Sequence, residues 1–320
     1  MATNGVHFGV TLPQIKRSWQ ETRAAALEFE ALGFQSLWLN DHLYGVPMPT
    51  IPILEAWTTL SAVGGITSKA ELGLLVSPPG FRNPALHAKM AATLDQITGG
   101  RLIVGLGAGW FTQEFEGYGF PFPPARERLE QLRETLTIMK LMWTEDAPTF
   151  AGKHFRIESV ICEPRPARRP RILIGGGGEK VLLRIAAEHA DLWNNLAVNQ
   201  GALAAKLDVL RRHCRDVGRD FDSITISQQT LVVIGEDERD GRAKMEKATG
   251  LYGGHLGDIE RHGIWGSPDQ VIERIRRQMQ LGVRHFVIEF FGRDTRAPAQ
   301  LFAERVLPSF QVQGRGTGGG

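Results

Sequence analysis

Arg171-Ile172-Leu173-Ile174-Gly175-Gly176-Gly177-Gly178-Glu179-Lys180 runs from a short aliphatic strand, through four consecutive glycines, into a charged helix expected to open at Glu179. A strand followed within a few residues by a helix is one β-α unit, the repeat from which parallel sheets are built. Glycines let the main chain turn sharply and bring bare N–H groups against a ligand, and the following helix adds the positive end of its dipole. The run therefore reads as a phosphate cradle. A hinge or a tight strand-to-helix turn also uses glycine, but needs only one or two.

Outward from this unit the same pattern repeats. Short runs of Val, Ile, Leu and Phe at His7–Leu12, Ser36–Leu39, Glu71–Val76, Arg101–Leu106, Arg171–Ile174, Asp191–Trp193, Ser223–Ser227 and Arg284–Glu289 alternate with segments of helical period. Ser18 with Glu21 forms a capping box closed by Gly33, Asn83-Pro84 opens another helix, and Ser267-Pro268-Asp269-Gln270 opens a third. Eight strand-helix pairs predict a (β/α)8 TIM barrel spanning residues 1–310, with insertions after strand 4 (Trp110–Ala125) and before strand 5 (Thr144–Pro170). Thr149–Ile157 alternates enough for a small hairpin. Residues 311–320, glycine-rich from Gly314, are expected to be disordered.

Composition narrows the partners. Lys plus Arg (37) balances Asp plus Glu (35) across 320 residues, which argues against a nucleic-acid surface and for a small-molecule substrate. Cys162 and Cys214 form no CxxC, and the histidines show neither HxH nor HExxH spacing, so neither a disulfide framework nor a metal is indicated. No apolar run approaches the roughly 20 residues of a membrane span, and no signal peptide is recognisable. The expectation is a cytoplasmic protein.

A barrel carries its site at the C-terminal ends of its strands, where the unusual residues of this chain fall. Asn40-Asp41-His42 ends strand 2, and an imidazole there can exchange a proton with a carbonyl or alcohol. Adjacent residues on a strand point to opposite faces, so Asp41 and His42 need not touch. Gly105, Gly107 and Gly109 end strand 4 and read as clearing space for a flat ring, since a dinucleotide fingerprint lacks its acidic partner. Trp110 and Phe111, followed by Phe115, Tyr118, Phe120 and Phe122, either wall a substrate pocket or pack beneath the loop; Phe291 joins the pocket from strand 8. Glu114 and Glu116 are acid candidates, set against the commoner reading of solvated carboxylates. Arg165, Arg168, Arg169 and Arg171 read as a solvated loop, or as a rest for a polyanionic tail.

Ser36–His42, Gly99–Trp110 and Ile172–Lys180, in this order, resemble the luciferase-like monooxygenase superfamily in its deazaflavin-dependent (coenzyme F-420) branch. The resemblance covers roughly residues 6–310. It implies a single barrel holding a deazaflavin across the strand ends, with Asp41 contacting the ring and His42 as its acid-base residue. It implies a non-proline cis peptide within Leu75-Val76-Ser77 behind the ring. Gly107 would lie at the ring, Gly175, Gly176, Gly177 and Gly178 around the phosphate, and Asn194 or Asn195 would be an additional donor. Sugar-phosphate dehydrogenases of the branch carry a catalytic glutamate where this chain has Trp110, so the substrate is expected to be apolar or aromatic. FMN is the alternative cofactor, in a two-component monooxygenase fed by a separate flavin or deazaflavin reductase. A non-catalytic flavin-binding barrel is a second alternative. Barrels of this kind pair, and Ile53–Ile66 with Pro84–Ile97 offer Trp57, Leu60, Val63, Leu86, Met90 and Leu94 for a homodimer.

Overall fold

The computed structural model describes residues 5–46, 48–252 and 256–311. Strands His7–Thr11, Ser36–Leu39, Glu71–Leu74, Leu102–Leu106, Arg171–Gly175, Leu192–Asn195, Thr225–Ile234 and His285–Phe290 pair in chain order, all parallel. His285–Phe290 also pairs with His7–Thr11, from His7↔His285 to Val10↔Ile288, which closes the ring. Helices including Trp19–Ala31, Ala56–Ile66, Pro84–Thr98, Ala125–Thr144 and Leu203–Asp216 surround it. The protein is the expected (β/α)8 barrel.

The local signals that fixed helix starts are present as bonds. Ser18 and Glu21 cap each other, as do Ser267 and Gln270, and Asn83 Oδ1 accepts from the Ala85 and Leu86 N–H groups. The hairpin forms from Phe150–Ala151 and Arg156–Ile157, with Glu134 accepting from the Lys153, His154 and Phe155 N–H groups at its turn.

Two boundaries depart from expectation. The helix after the glycines begins at Leu182 rather than Glu179, and its end has no side-chain cap. Strand 7 continues past Ser227 to Ile234 because polar Gln228 and Thr230 find partners in Asn195 and Gln200. Beyond it lies a further insertion, helices Glu238–Tyr252 and Ile259–His262 and strand Ile264–Gly266, which pairs with Val232–Ile234. Residues 312–320 of the glycine-rich tail lie outside the described residues.

Trp38 fills much of the barrel interior, packed with Leu75, Ile103, Leu173, Leu192 and Val287. It fits because its neighbours have no side chain: a Cβ on Gly73 would stand 2.3 Å from Trp38 Cζ3, and one on Gly9 2.6 Å from Nε1. Outward-facing Leu37, Leu39, Ile172, Ile174, Phe286 and Ile288 bury against the helices, each contributing roughly 1.5–3 kcal/mol. The pairing surface expected on Ile53–Ile66 and Pro84–Ile97 is largely consumed by this core. Trp57, Leu60, Val63 and Leu94 are buried, and Leu86 and Ile97 remain exposed. No described helix is long and apolar enough to cross a membrane.

His87, on Pro84–Thr98, is wholly buried edge-on against Trp57, with neither ring nitrogen bonded. Burial, with Arg82 adding to it, pushes its imidazole down to about 3. The unfolded chain therefore binds a proton that the native state refuses as pH falls below the ordinary histidine range, and stability drops with pH across that window. His87→Leu is expected to retain about 2 kcal/mol that the parent loses between neutrality and pH ~5. Urea titrations of both proteins at the two pH values measure it.

Candidate active site

The floor of the barrel mouth is built where strands 2 and 3 end. Asp41 has no exposed side-chain surface. Its Oδ2 accepts from Ser77 Oγ at 2.6 Å and Arg82 NH1 at 2.7 Å, and its Oδ1 from Arg82 NH2 at 3.2 Å. Arg82 also reaches Glu55 at 2.8 Å. Burial pushes the Asp41 carboxyl up, against the opposing pull of Arg82 and Ser77. Asp41 was expected to contact a ring; both of its carboxylate oxygens are taken here by Ser77 and Arg82.

Strand 3 stops at Leu74, and the Leu75–Val76 peptide is cis, which gives the register within Leu75-Val76-Ser77. Ser77 is tied across to strand 4 by its N–H to Gly105 O at 2.9 Å and its C=O from Gly107 N at 3.1 Å. Between them the Val76 side chain fills the space of missing side chains: a Cβ on Gly107 would lie 2.5 Å from Val76 Cγ2, and one on Gly175 2.8 Å from Val76 Cγ1. Of the three glycines ending strand 4, Gly107 makes room for Val76, Gly105 for the Leu74 carbonyl oxygen and Gly109 for Phe115 and Pro78.

His42 points away from Asp41. Its Nδ1 lies 2.8 Å from Glu114 Oε1, while Glu114 Oε2 accepts the Leu43 N–H at 2.9 Å. A carboxylate oxygen accepts, so the hydrogen of this bond sits on Nδ1 and Nε2 is turned away from the pair. Nε2 has no hydrogen-bond partner among the described residues. Glu114 is buried, contrary to its reading as a solvated carboxylate; Glu116 is exposed. On the short helix Thr112–Gly117, Glu114 and Phe115 face inward and Glu116 outward.

The aromatic run divides between both of its readings. Trp110, 60% exposed, stacks on Phe111 at 5.3 Å, and both stand edge-on to His42 at 5.8 and 6.3 Å. Phe115 packs beneath the loop against Phe81 and Phe122. Phe291, half-buried, stands against Tyr252 at 6.0 Å.

The glycine loop is narrower as a cradle than its sequence implied. Gly175 belongs to strand 5, and the Gly176 N–H is taken by Asn194 O at 3.3 Å. The N–H groups of Gly177, Gly178, Glu179 and Lys180 have no acceptor among the described residues, and they precede an uncapped helix start. A Cβ on Gly177 would lie 2.6 Å from Asn199 Nδ2 and 3.2 Å from Lys206 Nζ. Lys206 is itself buried, donates to Gly177 O at 2.7 Å and pairs with Glu179 Oε1 at 3.5 Å, so its charge is shared with that carboxylate. These two donors were not read from the sequence. They arrive from the segment after strand 6, and only the register of Gly175 with Asn194 brings that segment beside the loop.

Asn194 and Asn195 diverge. Asn194 faces the barrel interior, where its Oδ1 accepts from Ser227 at 2.9 Å and its buried Nδ2 has no partner. Asn195 turns outward to Gln228 at 2.8 Å and Asn199 O at 3.2 Å. The arginine cluster lies at the opposite end of the barrel from the mouth: Arg169 forms two 2.8 Å bonds with Asp191, and Arg171 pairs with Glu71. It is no resting place for a tail on a ligand held at the strands' C-terminal ends. Among the described residues, no group of three or more His, Cys, Asp or Glu side chains is placed to hold a metal.

A parallel barrel thus sets free amides and a buried Lys206 at the end of strand 5, where a helix start favours an anion, and a carboxylate-held imidazole at the end of strand 2. The chain belongs to the luciferase-like monooxygenase family, whose family model matches residues 3–285. It is 28% identical to an F420-dependent glucose-6-phosphate dehydrogenase of Nakamurella multipartita, over 96% of this chain and 97% of that one. It is 28% identical to an FMNH(2)-dependent dimethylsulfone monooxygenase of Pseudomonas putida, over 67% and 70%. An F420-dependent secondary alcohol dehydrogenase shares the fold with a TM-score of 0.84 at 20% identity, over 96% of this chain and all of that one.

The residues present fit a phosphate-bearing ring coenzyme: the cradle is one a Cβ would fill, and a buried amide nitrogen is left unpaired inside the mouth. Gly177→Val is expected to weaken binding of such a coenzyme at least roughly tenfold while leaving the fold intact, because it displaces Asn199 and Lys206 and not the barrel core. Fluorescence titration alongside a thermal melt tests both halves.

Proposed function

We propose that this chain is a coenzyme F-420-dependent oxidoreductase that transfers a hydride between the deazaflavin and a small apolar or aromatic substrate. The observation that carries the reading is the Glu114–His42 pair, which leaves Nε2 free. The bound deazaflavin would supply the hydride chemistry. His42 Nε2 would take the proton from a substrate alcohol, or, once protonated, give one to a carbonyl or activated double bond. Glu114 would hold the ring and stabilise its charged form. Gly177, Gly178 and Lys206 would hold the phosphate, Val76 would back the ring, and Trp110, Phe111 and Phe291 would wall the substrate.

The relatives described above include glucose-6-phosphate dehydrogenases, but the position directly after the strand 4 glycines is Trp110, a large apolar surface open to the mouth. The nearby carboxylate, Glu114, is buried and already bonded to His42 and Leu43. This supports an apolar substrate over a sugar phosphate.

FMN in a two-component monooxygenase, receiving reduced flavin from a separate reductase, is the second reading, favoured by the dimethylsulfone monooxygenase relative. Both coenzymes carry a phosphate for the same cradle, so equilibrium titration with each separates them. Tight FMN binding with flavin-dependent oxygen uptake, and no deazaflavin binding, would reverse the preference. Pairing of two barrels through the surface around Leu86 and Ile97 belongs to the same proposal, with light scattering as its measurement.

His42→Ala is expected to lower kcat at least about a hundredfold with coenzyme affinity retained; normal turnover removes His42 from the mechanism. Glu114→Gln keeps the shape but removes the anion that holds the imidazole, so kcat should fall at least about tenfold while coenzyme binding stays unchanged.

A further inference from the structure

Beneath Asn194 a line of polar side chains crosses the barrel interior from end to end. Glu71 Oε2 lies 3.9 Å from His7 Nε2, and His7 Nε2 lies 3.1 Å from Ser36 Oγ. Ser36 Oγ is 3.3 Å from His285 Nε2, and His285 Nδ1 is 2.8 Å from Ser227 Oγ, which bonds Asn194 Oδ1 at 2.9 Å. Trp38 Nε1 donates to Ser36 Oγ from the side at 2.8 Å. Ser36, Ser227, His285 and Asn194 are all buried.

Counting hydrogens restricts this line to two states. The indole only donates, so it occupies one lone pair of Ser36 and leaves one lone pair and one hydrogen for two imidazoles. One histidine must donate to Ser36 and the other accept. Both are neutral near pH 7: burial, with Arg171 adding, pushes His7 down to about 4. His285 is pushed well below its ordinary value by burial, with His7 and Arg171 adding. A neutral imidazole carries one N–H, so the choice propagates along the line.

If His7 donates, His285 accepts at Nε2 and carries its hydrogen on Nδ1. Ser227 accepts that hydrogen and gives its own to Asn194 Oδ1, which leaves the Asn194 NH2 unpaired. If His7 accepts, every bond reverses and the Asn194 oxygen is left bare instead. Glu71 decides between them. Its carboxylate, fixed by the ion pair with Arg171, stands beside His7 Nε2 and favours a hydrogen there over a lone pair.

We infer that Asn194 is the fixed hydrogen-bond donor that the barrel offers to an acceptor atom of the ring bound in its mouth, and that Glu71, at the far end, sets it through His7, Ser36, His285 and Ser227. Asn194 shares its register with Gly175, the glycine against which Val76 packs, so the amide stands in the layer beneath the ring rather than at the phosphate. The pyrimidinedione carbonyls common to deazaflavin and FMN are acceptors of the required kind. Aligned bonds also polarise one another, so their positive ends face the mouth together. The inference rests on the coenzyme-binding reading above, and its first test is independent of it.

Nitrogen-15 NMR of the histidine-labelled, coenzyme-free protein at neutral pH should show the His285 hydrogen on Nδ1 and the His7 hydrogen on Nε2. A His285 hydrogen on Nε2 overturns the polarity. Glu71→Gln should move His285 toward the other tautomer from across the barrel, and an unchanged His285 removes Glu71 from control. Coenzyme titrations, run below the melting transition that each unpaired buried group will lower, should show Ser227→Ala and Asn194→Asp binding roughly tenfold more weakly than the parent. Parental affinity in both variants overturns the role given to Asn194. A parent protein that binds neither F-420 nor FMN sinks the coenzyme reading, and the tautomer result is still read on its own.

Discussion

The carboxylate of Asp41 holds the working end of this barrel together. It is buried without exposed surface and bound to Arg82 and Ser77. A carboxylate in that position costs several kcal/mol unless it is paired and its lone pairs are occupied, so the groups that satisfy it cannot move far. Ser77 is thereby fixed, and with it the Val76 side chain lodged against Gly107 and Gly175. Because neighbouring side chains on an extended segment diverge, the same anchoring turns His42 to the other side, where Glu114 receives it. One ion pair thus orients both the backing of the mouth and its imidazole.

The interior divides its space between packing and polarity. Barrels of this architecture are usually filled by branched aliphatic side chains in layers. Here one indole takes much of that volume, admitted by Gly9 and Gly73 and packed with five aliphatic side chains, and a polar line from His7 to Asn194 runs beside them. Such a line is tolerable only if it is nearly complete, since each unpaired buried group costs about 1–3 kcal/mol. It is complete at every link except its last, the amide nitrogen of Asn194. An unpaired donor at the end of an otherwise satisfied network is where a hydrogen-bond acceptor is worth most.

What the sequence made legible follows the range of the forces concerned. The β-α repeat, the capping boxes of Ser18 and Ser267 and the hairpin after Thr149 are set by residues a few positions apart, and the structure has them. Glu114 is 72 positions from His42, and nothing local marks it as different from Glu116, two residues on. Lys206 comes to the glycine loop from a helix beyond strand 6. Strand 7 was cut short because Gln228 and Thr230 look like a loop until their partners Asn195 and Gln200 are in place. The arginine cluster was open to a better reading: Arg171 opens its strand, and strand starts lie at the end of a barrel away from the mouth.

The glycine run offers less to a phosphate than four glycines imply, and this bears on how the site divides its labour. One glycine is consumed by the strand and one amide by Asn194 O, so the remaining free amides gain their charge from Lys206, buried beside Gly177. A buried ammonium that already donates to a main-chain carbonyl adds attraction without shape, because it is a point charge rather than a fork. On the proposed reading, recognition of what lies beyond the phosphate would come from elsewhere: from the amide inside the barrel, the Val76 surface and the indole of Trp110. The cradle supplies affinity common to any such coenzyme. The side chains around the mouth carry the discrimination, and they are the part of this barrel that a change of substrate would have to alter.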